Sequence, residues 1–418
     1  MLNTGTRRYL SASTLFLRYL SAFGSELKHL GSDGRGSLLL AIGAGWGLTT
    51  GARTIYPVLL PHLRASYGLT LTGAGALLTV LFATYALGQL PGGILADRIG
   101  ERKTLTLSLG VSSVALLFVV LSRSSPVLFV LTALFGFGVG LYAIARFTAI
   151  ATLYPERYGT AIGVTNAAPE VGQAVLPPVA GVVAAAVGWQ FGFGFAIPLF
   201  LIIAVVLWTS LPAHTAGERG AVDTFSSETL RVLRSELRKP PVVLATLLMI
   251  LGISVWQAFT GFYPTYLTEE KGLSSPVASV LFGLYFGATA FVHPLSGAIY
   301  DRLGVRFTYA VVGLSVPALV ALTVVENVWL LVVISILLGT LLGFETSTES
   351  YLVRTLPSSV EGTGFGILRT TIFAVGATSP IVFGAAADRD FFDEMFLLLA
   401  AILFVMVVLA TRLPVATD

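Results

Sequence analysis

Twelve apolar runs, most of them long enough to cross a bilayer, follow one another along this chain and leave little freedom in its fold. They lie near 37–61, 71–95, 105–121, 126–152, 160–187 and 191–211. After one polar break they resume near 241–267, 275–298, 307–325, 327–353, 362–386 and 394–412. A helix needs roughly 20 apolar residues to span the hydrocarbon core. In lipid every backbone N–H and C=O must be paired inside the protein, and a helix does this segment by segment. The runs therefore predict an all-α integral membrane protein with twelve transmembrane helices and both termini on one side. Composition agrees, since charged residues are 11% and hydrophobic ones 55% of 418, against about 25% charged in a soluble domain.

The placement of basic residues sets the expected orientation. Eighteen of the 25 Lys and Arg fall in segments on the side of the termini, and four (Arg64, Arg123, Lys271 and Arg389) on the other. The termini are expected in the cytoplasm and the protein in the cell membrane. Residues 1–36 carry Phe16, Leu20, Phe23, Leu27 and Leu30 at helical spacing, which predicts an amphipathic surface helix, with an unstructured tail as the alternative. The expected organisation is then a six-helix bundle over 37–211, a cytoplasmic linker with a surface helix over 212–240, a second bundle over 241–412, and a tail over 413–418. There is no Cys, and the four His (29, 62, 214 and 293) are scattered without metal-ligand spacing. No nucleotide-binding signature, nucleophile–base pair or metal cluster is present, so no cofactor is expected and an enzyme is disfavoured.

The two halves are copies. Gly93, Asp97, Arg98, Gly100 and Arg102 in GILADRIGERK return 204 positions later as Gly297, Asp301, Arg302, Gly304 and Arg306 in GAIYDRLGVRF. TIYPVLL (54–60) is echoed by GFYPTYL (261–267), and YGTAIGV (158–164) by EGTGFGI (361–367). Offsets stay near 204, so six spans are repeated in the same topology, which predicts two pseudo-symmetric bundles around an axis along the membrane normal.

This duplicated loop resembles the signature between the second and third helices of the major facilitator superfamily of secondary transporters. The resemblance covers nearly everything after residue 36. It implies a carrier working by alternating access, with a small-molecule site between the halves near the midplane. It also implies a conformational latch, in which Asp97 caps the start of the eleventh span near Gly362 and holds the outward-open state. Arg98 and Arg102 would form companion salt bridges, with Glu156 a candidate partner. Signatures of drug–proton antiporters are eroded: Leu176 and Ala180 replace glycines in GQAVLPPVAG, and Thr132 stands where an Arg would precede Gly136.

Six ionisable residues lie within the spans: Arg53, Arg146, Glu170, Glu345, Glu349 and Arg369. Each is costly in lipid and is expected to face the bundle interior or a water-filled path, as substrate or coupling residues or as internal pairs. Arg146 and Glu349 are repeat mates at offset 203, which predicts an ion pair closing the cytoplasmic end. Arg53 has Thr260 as its mate, so symmetry supplies no acid for it. Glu170 or Glu345 would make it structural, and a substrate carboxylate would make it an anchor. Trp46, Tyr56, Trp256 and Tyr263 lie on the first and seventh spans, and His293 lies near a helix end. The expected function is secondary transport of a small solute, with protons as the coupling ion and an organic anion as cargo. A multidrug efflux antiporter is the alternative, and a transport-inactive membrane sensor or scaffold the alternative of another class. The expected partners are the solute, protons and the bilayer, with no nucleic acid, and the expected state is a monomer.

Overall fold

The computed structural model describes residues 36–213, 231, 235–357 and 361–413. The expected surface helices at 1–36 and within 212–240 lie almost wholly outside these residues. Among the described residues twelve helical spans are seen. The first six are α1 (Gly36–Tyr67), α2 (Leu71–Ile99), α3 (Glu101–Leu121), α4 (Ser125–Leu153), α5 (Tyr158–Val187) and α6 (Trp189–Ser210). The second six are α7 (Pro240–Glu269), α8 (Ser275–Leu303), α9 (Val305–Val324), α10 (Val328–Thr355), α11 (Glu361–Gly376, continuing as Ser379–Ala387) and α12 (Phe392–Ala410).

Eleven spans meet membrane-crossing length and hydropathy, and α1 is the exception. Its 32 residues are long enough, but Thr49, Thr50, Arg53 and Thr54 interrupt the apolar run. All four are buried, so α1 is shielded from lipid and needs no uniformly apolar surface. The opposite holds at the periphery. Leu117, Phe118 and Leu121 of α3, Leu201, Ile202 and Val205 of α6, and Phe404, Val405 and Val408 of α12 are exposed. Such a belt suits hydrocarbon, whereas in water it would be an aggregation surface.

Small residues bring the helices together. In the first bundle α2 packs on α4 and α1 on α5. A Cβ added at Gly172 would lie 2.0 Å from the Gly47 carbonyl oxygen, and one at Gly92 would lie 2.4 Å from that of Leu141. This is backbone-to-backbone contact of the kind that drives helix association in lipid. The duplicated loops end their helices alike. Gly100 (φ 86°) closes α2 and Gly304 (φ 82°) closes α8, a conformation that only glycine adopts cheaply. The second bundle is less regular than its mate. A 3-10 turn at Gly339–Leu342 interrupts α10, where the equivalent α4 is continuous.

Among the described residues the bundles meet mainly where α2 packs on α11, α5 on α8, and α1 on α7.

Candidate functional site

A cavity of about 740 Å³ lies between the bundles, lined by α1, α2, α4 and α5 from one half and by α7, α8, α10 and α11 from the other. Arg53, Arg146, Glu170, Glu345, Glu349 and Arg369 all border it. Its wall extends to Gly297 and Val353, near the ends of α8 and α10 on the face where α1 begins and α12 ends. The cavity reaches toward that face.

At the opposite end the bundles are sealed. Arg64 of α1 forms an ion pair with Glu269 of α7. Asp388, just past α11, caps α2, accepting from the N–H groups of Leu71 (2.7 Å) and Thr72 (2.7 Å) and from the Thr72 hydroxyl. The Ile381 N–H donates to Thr79 Oγ1 at 3.2 Å. A Cβ at Gly75 would sit 2.2 Å from the Pro380 carbonyl oxygen, so here α2 and α11 touch backbone to backbone. Partial burial pushes the Asp388 carboxyl up, but the hydrogen bonds from Thr72 and Leu71 outweigh it and hold the group below the usual carboxylate range.

The charged groups in the cavity are unevenly satisfied. Arg369 is paired with Glu349 and stacks on the Phe373 ring, 5.1 Å from its centroid. The expected Arg146–Glu349 pair is therefore not formed. Arg146 donates from Nη1 to Asn166 Oδ1 at 3.1 Å and lies over the rings of Trp46 (4.4 Å) and Phe147 (4.0 Å). Repeat symmetry places mates at equal depth on opposite walls, and in this state the open cavity separates those walls. Arg369, on the helix next to Glu349, reaches the acid first.

Glu170 joins the halves, accepting from Thr289 Oγ1 at 2.6 Å and lying 3.6 Å from His293 Nε2. His293 Nδ1 in turn contacts Thr346 Oγ1 at 2.8 Å. Glu345, among the described residues, has no hydrogen bond or ion pair and faces the cavity. Arg53 is 5% exposed and, among the described residues, also lacks an acidic partner. Its guanidinium lies 4.2 Å from the Tyr85 centroid, with Phe82 at 5.8 Å and Trp256 at 5.9 Å. Neither Glu170 nor Glu345 neutralises it. Such stacking contributes up to about 2 kcal/mol when desolvated, which holds the side chain in place and leaves its donors available.

The four aromatics of the first and seventh spans divide. Trp46 and Trp256 line the cavity. Tyr56 packs against Phe135 and Phe193, and Tyr263 shares a hydrogen bond with Ser335, both fully buried. In the duplicated loops, Asp97 is exposed, and its expected partner near Gly362 falls among side chains outside those described. Arg102 stacks on Trp208 at 4.5 Å, and among the described residues no ion pair joins Arg98 or Arg102 to Glu156. Asp301 is held by Arg354 at 3.3 Å, while Arg306 donates to the Leu413 carbonyl at 2.7 Å.

The model of the Major Facilitator Superfamily matches residues 42–316 and 255–417, together almost the whole described chain. The chain belongs to the Major Facilitator Superfamily. It is 25% identical over 362 residues to the cis,cis-muconate transport protein of Acinetobacter baylyi, covering 83% of this chain and 86% of that one. To the hexuronate transporter of Bacillus subtilis it is 27% identical over 235 residues, covering 55% and 56%. That second match spans little more than half of the relative. Among solved structures, a mutant of the nucleoside transporter NupG superposes with a TM-score of 0.77 over 90% of this chain and 99% of that one, at 13% identity. That likeness speaks for the fold alone. As a superfamily member the protein is an integral membrane transporter of small solutes, not an enzyme.

Proposed function

We propose that this protein is a proton-coupled secondary transporter of a small organic anion, located in the cell membrane with both termini cytoplasmic and active as a monomer. The observation that carries the reading is Arg53: a buried guanidinium on the wall of the inter-bundle cavity, stacked on Tyr85 and without a carboxylate among the described residues. A charge left unpaired in a low-dielectric site is costly, and an arriving carboxylate offers the planar, bidentate partner that the guanidinium fork matches. The cavity lies where an alternating-access carrier holds its cargo. The two relatives named above carry hexuronate and cis,cis-muconate, both carboxylates.

In this reading, the basic-residue bias places the open face of the cavity toward the cytoplasm. The structure is then the inward-open member of the cycle, with the Arg64–Glu269 and Asp388–α2 contacts closing the outside. The Asp97 loop would engage α11 in the opposite state, as the helix-start capping of an anion allows. Glu345, unpaired among the described residues and facing the cavity, is the candidate proton carrier, and the Glu170–His293 contact is the second.

The test is uptake of labelled carboxylates into proteoliposomes under an imposed pH gradient, with Arg53→Ala and Arg53→Lys beside the wild type. Gradient-stimulated uptake lost in both well-folded variants supports the reading, because Lys keeps the charge without the fork. Wild-type affinity and rate in folded variants would overturn it.

A further inference from the structure

The cavity holds a second guanidinium that, like the first, has no acidic partner among the described residues. Arg53 and Arg146 are both at least 95% buried, at 5% and 4% exposure, and both face the cavity. In each, Nε is buried with no hydrogen-bond partner among the described residues. Trp256 borders the cavity beside Arg53, with its indole toward the buried Tyr285 hydroxyl. Both guanidinium Nε groups are donors with no capacity to accept, so only an acceptor can satisfy them.

Their placement is fixed by aromatic rings. Arg53 lies over Tyr85, while Arg146 lies over Trp46 and Phe147. Arg53 is on α1 and Arg146 on α4, so the two guanidiniums belong to the same half of the molecule and share a cavity walled by flat rings. The acids sit elsewhere: Glu345 and Glu349 are on α10 across the cavity, Glu349 is taken by Arg369, and Glu170 is turned toward Thr289 and His293.

We propose that the cargo is a dianion, one acid group held by Arg53 and the other by Arg146, with a flat or conjugated carbon body lying against the Trp46, Tyr85 and Trp256 rings. This deepens the anion reading and rests on it. A monoanion would satisfy Arg53 alone and leave Arg146 with only the neutral Asn166 oxygen.

The experiment measures affinity from the ligand-dependent melting temperature of purified full-length protein. The probes are malonate, succinate, glutarate, adipate, suberate and terephthalate, and the monoamide of each, at constant ionic strength. The expected result is that the diacid whose length fits the two guanidiniums binds most tightly, with its monoamide about ten- to hundredfold weaker, as the loss of one charged hydrogen-bonded contact dictates. Arg146→Gln should bring the diacids down to the level of their monoamides. Arg146→Lys should restore part of the difference.

Equal binding of diacid and monoamide by the wild type overturns the dianion assignment and leaves the Arg53 anchor standing. No binding by any carboxylate overturns both. If Arg146→Gln does not fold, the wild-type ratio of diacid to monoamide decides by itself.

Discussion

Replacing Asp388 by Asn probes the contact that joins the two bundles at the sealed end. The wild-type carboxylate accepts from two backbone N–H groups at 2.7 Å and from one hydroxyl, at a helix start where the dipole favours an anion. Asn keeps one acceptor, loses the charge and turns an amide toward N–H groups. Asp388 is exposed, so water offsets much of the loss, and the lower range for caps applies, about 0.5–1 kcal/mol. That is a factor of roughly 2–5 in the ratio of sealed to open molecules. The chain has no Cys, so spin labels at Ser66→Cys and Glu270→Cys report that end without background. Electron–electron distance distributions should gain a long component in Asp388→Asn. The pH dependence has a definite sign. The carboxyl is held below its usual range, so its contribution is complete above about pH 4 and is lost only as pH falls through the lowered value. The sealed population should therefore not respond to Asp388 between pH 5 and 8. Identical distance distributions in wild type and variant, from neutral pH down to pH 3, would refute the cap.

Two further perturbations test the packing and charge arguments. Glu349→Gln leaves the Arg369 guanidinium without its acid and should lower stability by about 1–3 kcal/mol, whereas Glu349→Gln with Arg369→Gln should cost less than the two singles combined. Strict additivity in thermal melts would show that the pair is not coupled. Gly172→Ala places a Cβ 2.0 Å from the Gly47 carbonyl oxygen and should destabilise by about 1–3 kcal/mol or more. Gly163→Ala meets nothing within 4 Å and should be close to neutral. Equal melting temperatures for the two would refute the close approach of α1 and α5.

The helices and their duplication were legible because both are local properties of sequence: an apolar run of sufficient length, and a turn chemistry that recurs. The apolar runs understate the helices, since α2 continues through Asp97 and Arg98 to Ile99 and α8 through Asp301 and Arg302 to Leu303. Charged residues can end a span in lipid without ending the helix, and Gly100 and Gly304 do the latter. The cost of an intramembrane charge pointed to the six residues that the cavity gathers. It did not tell which of them pair. Arg146 and Glu349 were matched by symmetry, but ion pairs form between neighbours in space, and α10–α11 adjacency delivered Arg369 instead. The Asp388 cap left no trace, since nothing in one sequence links Asp388 to Leu71 across 317 positions. Asn166 and Thr289 were also missed, because neutral polar residues in a span carry no obvious cost signal.

The claim at the centre is that the inter-bundle cavity carries organic anions by way of Arg53, and solute counterflow tests it without reference to any coupling ion. Proteoliposomes preloaded with an unlabelled carboxylate are diluted into its labelled form with the pH clamped on both sides. A transient overshoot of internal label in the wild type, absent in a folded Arg53→Ala variant, is the predicted result. No overshoot with any mono- or dicarboxylate, or an undiminished one in Arg53→Ala, would contradict the account.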